Sequence, residues 1–319
     1  MWRRTLNGWG YSPLDEINQR NVDELVEVWS VPLGPGTQEP TPLVYDGVLY
    51  LPDPQDRIHA FDADSGFKLW EYEREVAGGR RGGGADRTMA MWGQLLINAS
   101  NDNAMYAVDA ATGELVWETQ VLDSTLPAHA SGGPLITDGK DIQGRQCQPQ
   151  ATHDSCVITA HDAETGEELW RTRTIPRPGE PGDETWGDVP LDERWHVGSW
   201  MTPSYDPELR LVYIGTSVTI PAPKFILGGT DNEHLYHNST LALDVDDGHS
   251  ATEANWQFHR ALYRSSGWQR GLSIAHILHS SVAAYVLLYL ETLGGGSHSD
   301  AEHSALLQAC RDRDAAGAT

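Results

Sequence analysis

Apolar and polar residues alternate along this chain in short runs that stop at Gly- and Asp-containing turns, and one such run recurs. It reads AFDADSGFKLW (Ala60 to Trp70), AVDAATGELVW (Ala107 to Trp117), AHDAETGEELW (Ala160 to Trp170) and a curtailed ALDVDDG starting at Ala242. Each phrase predicts a strand ending in a small residue, an Asp-x-x-Thr/Ser-Gly turn and a second strand ending in Trp. The Asp opens the turn, the Ser or Thr hydroxyl caps it, and Gly66, Gly113 and Gly166 supply a positive φ without a Cβ clash. A second apolar, β-rich run precedes each phrase: TPLVYDGVLYLP (Thr41 to Pro52), MAMWGQLLINAS (Met89 to Ser100) and GGPLITDGKDIQG (Gly132 to Gly144). Asp46-Gly47 and Asp138-Gly139 are hairpin signals within two of these runs. Two hairpins per repeat predict a four-stranded antiparallel sheet.

The phrases recur at steps of 47, 53 and 82 residues, a spacing typical of stacked supersecondary units. The predicted fold class is all-β, a β-propeller whose sheets protect one another's edges, here an incomplete ring of about four blades. Trp70, Trp117 and Trp170 fall at equivalent places and are expected to pack between neighbouring blades. Burying an indole removes about 150–250 Å² from water, which at about 25 cal/mol per Å² contributes at most roughly 4–6 kcal/mol.

Composition narrows the function classes. The 319 residues include 32 Gly and 18 Pro, as suits a turn-dense β protein, and the formal charge of −24 opposes binding to nucleic-acid phosphates. No run reaches the roughly 18 apolar residues of a membrane span; SVAAYVLLYLETL (Ser281 to Leu293) is short and contains Glu291. The opening MWRRTLNGWGYSPLDEIN has no apolar signal-peptide core and reads as a truncated start. Cys147 and Cys156 lie nine residues apart; they pair in an oxidising compartment or stay as two free thiols. No CxxC or HExxH zinc signature occurs.

YSPLDEINQRNVDELVEVWS (Tyr11 to Ser30), the Trp-ended repeats and SYDPELRLVYIGT (Ser204 to Thr216), in that order, resemble the pyrroloquinoline quinone (PQQ) dependent alcohol and methanol dehydrogenases. The resemblance runs from about Tyr11 to Gly248 and implies an eight-bladed, Trp-docked propeller, of which this chain would be the N-terminal half. It implies PQQ as cofactor, a small alcohol or sugar as substrate, a cytochrome c-type electron acceptor, calcium as the usual metal, and a periplasmic location. PQQ is a flat, anionic ortho-quinone, so its pocket requires aromatic faces and cationic forks. The resemblance places four residues there: Trp200 in GSWMTPSYDPEL as the floor, Arg87 in ADRTMAMWG at a quinone oxygen, Glu39 in TQEPTPLVYDGVLY, and Ser131 in HASGGPLI in place of a Thr hydroxyl. Alternatives stay open for each: a core Trp, a loop Arg, a surface carboxylate and a turn Ser.

Several family features are absent from the sequence. RRGGGADR (Arg80 to Arg87) offers glycines where many members carry two adjacent cysteines. The regions expected to hold calcium read GRQCQPQATHDSC (Gly144 to Cys156), with Gln148 and Gln150 but no acid at the expected place, and GTSVTIPAPKF (Gly215 to Phe225), where Thr219 and Ile220 precede the proline. A hard divalent cation prefers charged oxygens, so no ligands are assigned.

After Gly248 the β and turn grammar stops, and only Trp256 and Gln257 hint at the next family strand. The last 71 residues hold six of the 13 histidines. The expected organisation is a partial PQQ-dehydrogenase-like propeller over 1–248 and an atypical tail over 249–319, out of register with the family through a frameshift or gene-prediction error. The catalytic base would lie in the missing half, leaving the chain inactive alone, and open blade edges would favour oligomers. Two rival classes are a non-catalytic scaffold propeller of the outer-membrane assembly lipoprotein type and a sensor that binds ligand without turnover.

Overall fold

The computed structural model describes Gly10 and residues 12–76, 87–147, 151–219, 234–249, 304–309 and 311. The chain separates into two compact units, Met1–Gly248 and His249–Thr319. Within the second, residues 304–309 are helical.

The first unit is built from antiparallel sheets that follow one another in chain order. Strands β1 (Leu43–Tyr45), β2 (Val48–Asp53), β3 (Arg57–Asp62) and β4 (Lys68–Glu73) form the first sheet. Strands β5 (Ala90–Trp92), β6 (Leu95–Ala99), β7 (Ala104–Asp109) and β8 (Leu115–Gln120) form the second. A two-stranded ribbon of β9 (Ala128–His129) with β12 (Gln146–Cys147) flanks the third sheet. That third sheet contains β10 (Leu135–Thr137), β11 (Lys140–Gly144), β13 (Val157–Asp162) and β14 (Glu168–Arg173). The fourth has three strands, β15 (Ser204–Asp206), β16 (Leu211–Gly215) and β17 (Thr240–Asp244).

Local chemistry explains the repeated hairpin. The Asp62 carboxylate accepts hydrogen bonds from the Ser65 amide and hydroxyl, and Asp109 and Asp162 do the same for Thr112 and Thr165. The Gly that follows adopts φ of 70°, 75° and 75° in the three turns. A bulge directly after Ala60, Ala107 and Ala160 shifts the register at the same place in each sheet.

The turn glycine has a second purpose, because the preceding sheet's indole lies on it. A Cβ added at Gly113 would sit 2.6 Å from Trp70, one at Gly166 2.4 Å from Trp117 and one at Gly248 2.4 Å from Trp170. Each indole N–H donates to a carbonyl of the turn it covers: Trp70 to Ala110 (3.1 Å), Trp117 to Ala163 (3.3 Å) and Trp170 to Val245 (3.0 Å). Trp29 repeats the arrangement on the first sheet, stacking on Gly66 and donating to Ala63 at 3.0 Å, a fourth docking Trp outside the repeated phrase. The core is distributed between successive sheets. Tyr50, Ile58 and Ala60 meet Leu96, Tyr106 and Val108 across the first seam, and Ile142, Ile158 and Trp170 meet Tyr205, Val212 and Leu243 across the third.

The middle seam has its own apolar cluster, in which Ile97, Met105 and Trp117 meet Ile136 and Val157, but it also buries polar residues. The register places Asp141 where the first two sheets have Leu49 and Leu96, and His161 where they have Phe61 and Val108. Asp141, Gln143, Arg145, Thr159 and His161 are all buried. Burial pushes the Asp141 carboxyl up to about 7 and the Arg145 guanidinium down to about 10. Burial, with the nearby Arg145 charge, takes His161 down to about 4. Arg145 donates from Nη1 to Thr159 Oγ1 at 3.1 Å, while its Nε and Nη2 have no hydrogen-bond partner.

Candidate functional site

The four residues expected to hold the cofactor occupy one structural slot. Glu39, Arg87, Ser131 and Trp200 each lie three or four residues before the first strand of their sheet, ahead of β1, β5, β10 and β15 respectively. Because β5 and β10 approach each other at the inner side of successive sheets, equivalent positions converge.

Arg87 is the hub. Its Nε lies 2.9 Å from Glu39 Oε2, its Nη1 donates to the Ser131 carbonyl at 3.4 Å, and its guanidinium carbon stands 5.2 Å from the centre of the Trp200 ring. The Arg87 carbonyl accepts from the Thr41 amide at 2.8 Å, which anchors the hub to the entry of the first sheet. Trp200 is 39% exposed, whereas the docking residues Trp117 and Trp170 are 8% and 7% exposed. It is therefore no docking Trp: a large aromatic face stands open beside a half-exposed cation. Ser131 is buried, and its hydroxyl accepts from Gln146 Nε2 at 3.4 Å.

Backbone packing holds this arrangement. A Cβ at Gly132 would lie 2.4 Å from the Trp200 carbonyl, so only glycine lets the two segments touch, and the Thr202 hydroxyl donates to the Gly132 carbonyl. The Ser199 amide donates to the Arg145 carbonyl at 2.9 Å, beside the β9–β12 ribbon. Cys147 and Cys156 form a disulfide with a Cα separation of 5.1 Å, which resolves the sequence alternative in favour of pairing. Gln146, Gly132 and Trp29 were not singled out from the sequence. A Trp closing the β-like run LVEVW offered a signal for Trp29, but Gln146 becomes visible only once β12 pairs with β9.

The chemistry of this donor set fits PQQ. An open indole face suits a flat ring system, the guanidinium suits carboxylate or quinone oxygens, and the Ser131 and Gln146 side chains add neutral hydrogen-bonding groups. A calcium ion is not matched in the same way. No group of three or more His, Cys, Asp or Glu side chains converges among the described residues. Gln148, Gln150, Ile220 and the glycine run 82–84 lie outside the described residues.

Tandem sheets locked by docked indoles, with Glu39, Ser131 and Trp200 meeting at Arg87, define an incomplete β-propeller. Residues 1–261 match the family described as glucose/ethanol/alcohol dehydrogenase, beta-propeller domain. The chain belongs to this PQQ-dependent family. It is 32% identical over 259 residues to the quinohemoprotein alcohol dehydrogenase ADH IIB of Pseudomonas putida, covering 75% of this chain and 36% of that protein. It is also 32% identical over 289 residues to the quinoprotein alcohol dehydrogenase PedH of Pseudomonas putida, covering 82% and 46%. The solved quinohemoprotein alcohol dehydrogenase ADHIIG of Pseudomonas putida HK5 superposes with a TM-score of 0.70 at 29% identity, covering 78% of this chain and 38% of that one. The chain thus spans less than half the length of each of these relatives. Residues 232–319 separately match the FCD domain family.

Proposed function

We propose that this chain is part of a quinoprotein oxidoreductase and forms one side of a PQQ cradle for alcohol oxidation. The observation that supports this most is the convergence of Glu39, Ser131 and Trp200, from three different sheets, on Arg87 of a fourth. A scaffold propeller has no need of an exposed indole beside a cationic fork. In this reading Trp200 binds the flat ring system by its face, and Arg87 balances the negative charge of carboxylate or quinone oxygens. Glu39 and the Ser131 carbonyl fix the plane of the guanidinium by taking its Nε and Nη1 protons as hydrogen bonds. The bound quinone supplies the acceptor for the two electrons and two protons released when an alcohol becomes an aldehyde. Electrons then pass to a cytochrome c-type acceptor.

The general base and the opposite wall belong to sequence beyond the four sheets, so the chain alone binds the cofactor without turnover. The buried disulfide supports folding in an oxidising compartment, consistent with a periplasmic site of action. We place the domain boundary at Gly248. The FCD match, over residues 232–319, takes in the whole of 249–319 and supports reading that stretch as a module of its own. Adding PQQ with calcium and recording the quinone absorbance together with dye-linked alcohol oxidation tests the function. A shifted quinone band without turnover is expected. Turnover by the isolated chain would contradict its inactivity, and no band shift here together with no oxidation by a full-length relative would favour the scaffold.

A further inference from the structure

The ribbon β9–β12 lies outside the four-sheet pattern, yet two groups of the cradle hang from it. Gln146 pairs with His129 and Cys147 with Ala128, and this register brings the Gln146 side chain to the Ser131 hydroxyl. On its other side the ribbon is in backbone contact with the segment that carries Trp200. A Cβ at Gly198 would lie 2.7 Å from the Arg145 carbonyl oxygen and 2.8 Å from the Cys147 nitrogen. The Ser199 amide donates to Arg145, and a Cβ at Gly144 would lie 2.4 Å from Ser199 Cβ.

Cys147 ends the ribbon, and its disulfide partner Cys156 leads back to the same segment. The Thr174 amide and hydroxyl both donate to the Cys156 carbonyl, at 3.0 and 3.1 Å, and the same hydroxyl approaches the Val197 carbonyl. The covalent link therefore closes a loop of contacts that runs from Cys147 to Cys156, Thr174, Val197, Gly198 and back to Arg145. Both cysteines are buried, at 1% and 0% exposure, against Ile175, Trp186, Val189 and Val197. Among the described residues β9 and β12 pair only with each other, and the ribbon meets the sheets through Ala128, which joins the apolar cluster between the second and third sheets.

We propose that the Cys147–Cys156 disulfide is the positioning device of the cradle, holding Gln146 at Ser131 as a further cofactor-contacting side chain and fixing the segment that presents Trp200. This rests on the proposed quinone site for the identity of the ligand, but its structural half stands without it. With the bridge intact, the floor and the polar wall keep one geometry before the ligand arrives, and the ordering cost falls on folding instead of binding. Without it, hydrogen bonds and the packing of Val197 and Gly198 against the ribbon remain, but no covalent link joins the ribbon to the Trp200 segment.

The test compares wild type with Cys147→Ala/Cys156→Ala and, bridge intact, with Gly198→Ala, whose new methyl pushes against the Arg145 carbonyl. Hydrogen exchange is measured by mass spectrometry, and PQQ is titrated by quenching of tryptophan emission. Both variants are expected to exchange faster at residues 128–131, 145–147 and 198–202 with unchanged protection in β5–β8, and to bind PQQ at least about tenfold more weakly. Unaltered exchange at those amides, or faster exchange with wild-type PQQ affinity, would overturn the inference. Should the cysteine variant fail to fold, Gly198→Ala decides on the same two readouts. Wild-type protein that does not bind PQQ would overturn the proposed function alone, and the exchange comparison would still decide whether the bridge positions the segment.

Discussion

At the residue scale, the buried Asp53 carboxylate differs from Asp141, Arg145 and His161 in that hydrogen bonds overcome the effect of burial. Burial of Asp53 alone would raise its carboxyl, but hydrogen bonds from His59 and from both Nε and Nη2 of Arg57 outweigh this and hold it at about 2. Because that value lies below the ordinary 3.8, the stabilisation is fully present above pH of about 4 and is lost as the pH falls from about 4 towards 2. Asp53→Asn is therefore expected to lower stability by about 1–3 kcal/mol at pH 7, with the gap to wild type closing near pH 2 to 3 in thermal melts. A gap independent of pH would refute the assignment. The resemblance made Glu39, Arg87, Ser131 and Trp200 legible because each sits in a recognisable phrase. Gln146 was not legible, since its approach to Ser131 arises from the pairing of β12 with β9 and from nothing local.

At the scale of elements, the repeated hairpin was readable because its determinants are local: the Asp side chain closes the turn and Gly accepts the φ. What the sequence did not show is that the same Gly is also the seat of the preceding indole. Gly113 and Gly93 separate the two demands. Both have positive φ, at 75° and 57°, but a Cβ at Gly93 meets nothing within 4 Å, whereas one at Gly113 meets Trp70 at 2.6 Å. Gly113→Ala is thus expected to destabilise by at least about 1–3 kcal/mol more than Gly93→Ala in urea titrations. Equal effects would argue that the indole does not press on the turn.

The middle seam was missed for the opposite reason. GGPLITDGKDIQG reads as one β run, and only the neighbouring sheet decides that Asp141 and Gln143 are buried. Asp141 and Arg145 are enclosed together with no ion pair between them among the described contacts, a poor use of buried charge. Replacing both, Asp141→Leu with Arg145→Met, gives position 141 the apolar character of its equivalents Leu49 and Leu96 and removes the buried cation with it. It is expected to stabilise by about 1–4 kcal/mol, whereas either change alone destabilises. A double variant less stable than wild type would show that the polar seam is supporting the fold.

At the scale of the molecule, the first unit exposes apolar side chains ahead of its first sheet, with Leu14 at 78%, Val26 at 79% and Val28 at 79% exposure. Such a strip favours association, while the charge of −24 opposes it. Light scattering is therefore expected to show oligomers that grow as salt screens the repulsion, and a monodisperse monomer at all ionic strengths would contradict this. The propeller class was legible from period and turn chemistry together. The tail was legible only as a break in grammar, because a stretch rich in Ala, Ser, Arg and His carries no signal that the preceding repeats can extend.

The central claim is that four successive sheets bring one residue each to a single quinone-binding site around Arg87. Isothermal titration of PQQ into wild-type protein and into Arg87→Lys tests it most directly, since lysine keeps the charge but loses the planar fork and its stacking on Trp200. One binding site per chain is expected, weakened at least about tenfold by the substitution. No heat of binding in the wild type, or equal affinity in the two proteins, would contradict the account.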